Sequence, residues 1–318
     1  MSHSNSESNC KYTSLVLAGG GIRSLAHVGA IARLEENGSL ENVTNFAGAS
    51  AGAGIATLLA AGYTSKELLA FMISFDFKHL IVHNPIKEGI NIIRKFGLYS
   101  NSKLLSEFKR GLSAKHDVNI TFKQLQQATG NALIMTTTNL TKGRIEVLSP
   151  DTTPDMCVCD GLTLTTDLPL YFGAQRFTLP GQEEECTFTD GGVLCNLPNI
   201  FVPQPSVSLN LISSTNLSRP TDNLNNYLYT LLETMSDKID SLSNNIGRVI
   251  NIDTGKIGAT DFDISLKQKL HLIRAGFESV PTVNGEKTMY PSWWGEISSQ
   301  LPSGVDTSNH RYTNCNMM

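Results

Sequence analysis

Three short segments carry residues whose types and spacing suit acyl transfer. The first is Gly48-Ala49-Ser50-Ala51-Gly52, a G-x-S-x-G set between a short strand-like run at 43–47 and a small-residue stretch at 51–61. At a strand-to-helix turn such a serine is held in a strained elbow with its hydroxyl exposed. Glycine is needed at 48 and 52, because a side chain there collides with the strand or the helix. The start of a helix also favours a developing alkoxide. Taken alone, the same residues equally describe a serine capping a Gly/Ala-rich turn.

The second segment is Gly19-Gly20-Gly21-Ile22-Arg23. Successive bare amides before a helix can point at one oxygen, which is what an oxyanion hole requires. Arg23, a cation in the first turn, opposes the helix dipole and points to a nearby anion, a phosphate or the loop's own carbonyls, unless it is simply solvated. His27, four residues on, reads as a packed, hydrogen-bonded histidine. The third segment is Asp190-Gly191-Gly192, which follows the strand-like 186–188. A carboxylate at a strand end, in an apolar pocket that raises its pKa, can take a proton from a serine. Without that context, Asp-Gly-Gly is an ordinary turn.

The elements around these segments place them at one edge. The apolar run 12–18 reads as a buried strand, and Leu25, Val28, Ile31, Ala32 and Leu34 recur at helical spacing up to Gly38, a left-handed cap. A second strand at 43–47 completes a βαβ unit, whose right-handed crossover makes the two strands parallel. Both loops then lie at the same end of the sheet. Further on, helices are expected at 65–76, 101–113, 221–243 and 265–279, a hairpin at 132–139 and 145–149, and strands near 186–190, 207–212 and 248–253. This is an α/β protein, a three-layer α/β/α sandwich with a mostly parallel central sheet. A polar tail (1–11), one domain (12–280) and an irregular extension (281–318) divide the chain.

Composition narrows the function classes. The 318 residues include 40% hydrophobic ones, enough for one large core, and a net charge of −4 without basic runs gives no footprint for nucleic acid. No stretch in the sequence approaches a membrane span, and residues 1–11 have no apolar signal segment, so a cytoplasmic location is expected. The six cysteines lack zinc or redox spacing and read as reduced thiols. No metal or cofactor is expected.

With these motifs in order, the chain resembles the patatin-like phospholipases. The resemblance rests on the three segments above, and extends to Asn196-Leu197-Pro198, to Thr137-Thr138-Asn139-Leu140 and to a C-terminal stretch at 249–272. It implies a Ser50–Asp190 dyad without histidine, an oxyanion hole at Gly19–Arg23, and metal-free hydrolysis of acyl esters of phospholipids or galactolipids. Two departures stand out: Ser24, where the family's loop usually has another glycine, and 157–172, which matches only loosely.

Two rivals come from other classes. An α/β-hydrolase would use Ser50, Asp190 and His271, yet His271 lies in a helical pattern, and only one crossover separates Gly21 from Ser50. A nucleotide-binding protein would cradle a pyrophosphate at Gly19–Gly21, but the third glycine of its fingerprint is Ser24. A lipid substrate further implies contact with a phospholipid membrane surface, for which 71–96 and Trp293-Trp294 are the candidate segments. Head group, acyl position and any activating protein partner are not legible in the sequence.

Overall fold

A computed structural model describes residues 11–80, 96–213 and 246–281, with Thr230 and Thr234 besides. The expected helix at 221–243 except Thr230 and Thr234, residues 81–95 of the 71–96 segment, all but the first residue of the C-terminal extension with Trp293-Trp294, and most of the polar tail lie outside the described residues.

The chain opens as expected. Strand β1 (Ser14–Leu17) is wholly buried, and a 3-10 turn at Gly21–Ser24 leads into helix α1 (Leu25–Glu36). That helix ends in a Schellman motif: Gly38, at φ 72°, donates its N–H to the Glu35 carbonyl, and Ser39 donates to that of Leu34. Strand β2 (Asn45–Gly48) runs parallel to β1 with Leu17 opposite Gly48, and helix α2 (Ser50–Ala60) follows directly. The glycine loop and the serine elbow therefore leave the sheet at the same level.

Helix α3 spans Ser65–Ser74 behind a capping box of Thr64 and Glu67, and ends where Phe75 turns extended, two residues short of expectation. Strand β3 (Gly97–Tyr99), helices α4 (Ser102–Ser113) and α5 (Phe122–Thr129), and the hairpin β4 (Ala132–Asn139) and β5 (Arg144–Leu148) come next. Helix α6 (Val158–Thr165), strands β6 (Leu170–Phe172), β7 (Gln175–Phe177) and β8 (Cys186–Thr189), then β9 (Ser206–Ile212), β10 (Arg248–Asp253) and helix α7 (Leu266–Ser279) complete the described elements.

The main sheet runs β10-β9-β1-β2-β4-β8-β7, with β5 also paired to β4. Its centre is parallel, while β5, β7 and β8 are antiparallel. Helices flank this mixed sheet, and the sandwich architecture stands. Alternation along β1 divides the core. Leu15 and Leu17 join the large cluster with α1, α2 and α7, while Val16 and Ala18 turn to the other face and meet Ala47, Ile134, Leu197 and Val202. A separate two-stranded sheet of β3 and β6 was not anticipated, since three-residue strands carry no readable period.

Register explains how residue 190 reaches residue 50. Gly48 of β2 faces Met135 of β4, and β8 descends antiparallel beside β4 with Thr189 opposite Thr138. The chain leaving β8 thus comes down to the level from which the elbow leaves β2.

Among the described residues, no helix is long and apolar enough to cross a membrane. Cys157, Cys159, Cys186 and Cys195 are free thiols.

Candidate active site

Ser50 opens α2 with φ 53°, a left-handed conformation that few side chains adopt without strain. A Cβ on Gly48 would lie 2.5 Å from the carbonyl carbon of Gly52, and one on Gly52 would overlap the Leu17 and Ala18 carbonyl oxygens. Strand and helix touch at their backbones here, so both glycines are obligatory. The serine's amide donates to Thr165 Oγ1 at 3.0 Å, and that hydroxyl donates in turn to the Thr136 carbonyl at 2.7 Å. The Ser50 hydroxyl caps no amide: it donates to Asp190 Oδ2 at 2.6 Å. A plain capping role is thereby set aside.

Asp190 is 2% exposed. Its Oδ1 accepts the Gly192 N–H at 2.7 Å, its own N–H donates to the Asp167 carbonyl at 3.1 Å, and its carbonyl accepts from Thr138 Oγ1 at 2.9 Å. Gly191 has no room for a Cβ against the Thr136 carbonyl. The two glycines therefore do more than turn the chain. One lets it pass β4 closely, and the other steers Oδ2 toward the serine. Burial pushes the Asp190 carboxyl up to about 6, against the pull of the Ser50 hydroxyl and the Gly192 amide.

The glycine loop borders this pair. A Cβ on Gly19 would come within 3.0 Å of Ser50 Cβ and 2.5 Å of Asn196 Oδ1. Its backbone is clamped by residue 196 from both sides: the Gly19 N–H donates to the Asn196 carbonyl at 3.2 Å, and Asn196 Nδ2 donates to the Gly19 carbonyl at 3.4 Å. Ile22 gives its amide to the Ala259 carbonyl at 2.9 Å, and Arg23 gives its own to Gly20 at 3.1 Å. Of the five loop residues, then, three have committed amides. Among the described residues, no hydrogen bond takes the N–H of Gly20 or Gly21.

The histidines lie elsewhere. His27 is fully buried with Nε2 2.8 Å from the Ala18 carbonyl, and burial lowers its pKa to about 4. A neutral ring donating to that carbonyl steadies the start of the glycine loop, the packed role expected for it. His271 is exposed on α7, and neither oxygen of Asp190 bonds to it. Among the described residues, no three His, Cys, Asp or Glu side chains are grouped to hold a metal ion.

A scan of protein families finds the patatin-like phospholipase model over residues 15–199, more than half of the chain. The chain belongs to this family. A patatin-like chain is a lipid ester hydrolase, and the match spans all three motifs. Protein R571 of Acanthamoeba polyphaga mimivirus is 30% identical over 291 residues, 86% of this chain and 94% of that protein. A probable lipid hydrolase, 463L of Invertebrate iridescent virus 6, is 30% identical over 188 residues, 59% of this chain and 62% of its own length. The crystal structure of VipD from Legionella pneumophila shares the fold at a TM-score of 0.58 and 20% identity, across 85% of this chain and 66% of that one.

Around the pair stand Thr138, from the 137–140 segment, and three residues that the sequence motifs did not disclose: Thr165, Asn101 and Asp167. Asp167 is fully buried; its Oδ1 accepts from Asn101 Nδ2, its carbonyl accepts from Thr189 Oγ1 at 2.8 Å, and its Oδ2 has no hydrogen-bond partner. Burial raises its pKa to about 8, against the pull of the Gln175 side chain and with a further push from Asp190, which favours the protonated acid at neutral pH. The only sequence cue was a polar Thr165-Thr166-Asp167 run at the end of an apolar helix.

A stability effect follows with a definite sign. Between roughly pH 4, where an unfolded aspartate loses its proton, and about 8, where the folded one does, the folded state holds an extra proton. Its stability must therefore fall as pH rises through that window. Asp167→Asn removes the titration, so it is expected to be near neutral at pH 4 and stabilising by up to a few kcal/mol at pH 8. Urea denaturation of both proteins across this range checks it; a difference independent of pH would contradict the assignment.

Proposed function

We propose that this patatin-like chain is a phospholipase A-type acyl hydrolase working through a Ser50–Asp190 dyad and an acyl-enzyme. Ser50 Oγ attacks the ester carbonyl as Asp190 Oδ2 takes its proton, and the Gly20 and Gly21 amides receive the tetrahedral oxyanion. The leaving alcohol takes the proton back from Asp190. Water then repeats the sequence on the acyl-serine and releases the fatty acid.

The observation that carries this reading is the 2.6 Å hydrogen bond from a strained, elbow-held serine to a buried carboxylate. Burial supports the role of base twice over. It lifts the carboxylate's proton affinity, and it favours the neutral acid that forms in the transition state. A protonated Asp167 fits as well, because it adds no second negative charge beside Asp190. The amides of Gly19, Ile22 and Arg23 are already bonded, which supports assigning the oxyanion to Gly20 and Gly21.

Incubation with phospholipid vesicles should release free fatty acid and lysophospholipid, and Ser50→Ala should release neither. Because the base works only when ionised, kcat/KM should rise with pH about a midpoint near 6, the raised Asp190 value. Turnover by Ser50→Ala, or an acid limb at the ordinary carboxylate value near 4, would count against the dyad.

A further inference from the structure

Three residues other than glycine hold positive φ among the described residues: Ser50 at 53°, Phe96 at 59° and Leu170 at 70°. The first is the elbow. The other two are neighbours, since Leu170 pairs with Gly97 in the small β3–β6 sheet. Both are exposed, Phe96 by 62% and Leu170 by 37%. Glycine would take these angles freely, and asparagine at small cost. The chain instead keeps two large apolar side chains in a conformation that strains them and leaves them in water. Leu170 sits in a turn closed by the Phe172 N–H on the Leu168 carbonyl at 2.8 Å, which sets its backbone angle but does not call for a large apolar side chain at an exposed position.

Their position ties them to the site. Leu170 is three residues beyond Asp167, whose carbonyl holds the amide of Asp190, and the strand after Phe96 ends just before Asn101, which donates to the Asp167 carboxyl. On the other side an aromatic ladder leads back toward the glycine loop. Tyr99 and Tyr171 have ring centroids 5.9 Å apart, Tyr171 and Phe262 6.3 Å apart, and Phe262 is three residues from Ala259, which receives the Ile22 amide. The strands that carry the apolar pair are thus tied, through their neighbours in the chain, both to the base and to the oxyanion loop.

We propose that Phe96 and Leu170 form a lip that inserts into the acyl region of a phospholipid surface, beside the entrance through which lipid reaches Ser50. This rests on the lipid-hydrolase reading of the site, and lipid is the occupant because these strands are tied to a centre that consumes it. Side chains of this type partition into the acyl region, and the half-buried Tyr171, next to Leu170 in the chain, suits the headgroup level.

The test uses the full chain with Phe96→Asn and Leu170→Asn, together and singly, because asparagine keeps the backbone angle and removes only the apolar surface. Binding is read by flotation with vesicles of phosphatidylcholine and phosphatidylglycerol, in a Ser50→Ala background so that no lipid is consumed. Hydrolysis is read with Ser50 intact, on vesicles and on a soluble short-chain ester. The double variant should float about tenfold less or weaker still, given the apolar area lost, and should lose vesicle hydrolysis in proportion. Its soluble-ester kcat/KM should stay within about twofold and its melting temperature should hold or rise, since strain is released. Leu170→Met should float like its parent.

Undiminished flotation of the double variant would overturn the lip, as would an equal loss on soluble ester and vesicles, which would place these residues at the reacting centre. Failure of the functional reading looks different: a wild-type chain that cleaves neither substrate, whatever its flotation.

Discussion

Asp190→Asn is expected to lower kcat on phospholipid by about 10³-fold or more, with KM changed by no more than a few-fold. An amide cannot accept the serine's proton. With its oxygen on the Gly192 amide its NH2 would donate to Ser50 Oγ, reversing the hydrogen bond and tying up the lone pair that attacks; flipped, its NH2 would face the Gly192 N–H. The variant should nonetheless fold, since the backbone contacts of residue 190 to Asp167 and Thr138 do not involve its side chain. His271→Ala, by contrast, should keep kcat within about twofold. A loss near 10³-fold at His271 would revive the triad alternative.

The largest structural effect is expected where α1 crosses α7. A Cβ on Gly29 would overlap the Ile273 carbonyl, and one on Gly276 would overlap the Ala26 carbonyl, so each helix approaches the other through a residue without a side chain. The obstructing atoms are backbone and cannot rotate away, hence the helices must separate. Gly276→Ala should cost on the order of 3 kcal/mol, at the upper end for overpacking. Activity should fall alongside stability, because α1 carries His27, which holds the Ala18 carbonyl at the root of the glycine loop. A melting curve and an ester assay on the same preparation check both. Wild-type stability in Gly276→Ala would show that the crossing is looser than described.

Legibility in the sequence followed locality. The unit of β1, glycine loop, α1, β2 and elbow could be read because each part is signalled within a few residues: an apolar run, bare glycines, helical spacing and Gly38 at the cap. The β4–β5 hairpin was equally local. Pairing across the chain was not. Nothing near Gly19 or Ile22 reveals that Asn196 and Ala259 take up their amides, so five loop residues looked equivalent where two are open. Asp167 and Asn101 could not be paired for the same reason: beyond the polar run at 165–167, nothing local signals a buried acid whose Oδ1 is held by a residue 66 positions away. The antiparallel descent of β8, which delivers Asp190 to Ser50, depends on register with β4 and on no pattern within β8 itself.

The central claim is that the Ser50 hydroxyl is the nucleophile and that Asp190 alone activates it. Labelling the full chain with a long-chain fluorophosphonate, followed by peptide mass spectrometry, addresses it directly. One adduct should appear, on Ser50, and it should form at least about a hundredfold more slowly in Asp190→Asn, as expected when a general base is removed. A stable adduct on any other residue, or labelling of Ser50 at the same rate in Asp190→Asn, would contradict the account.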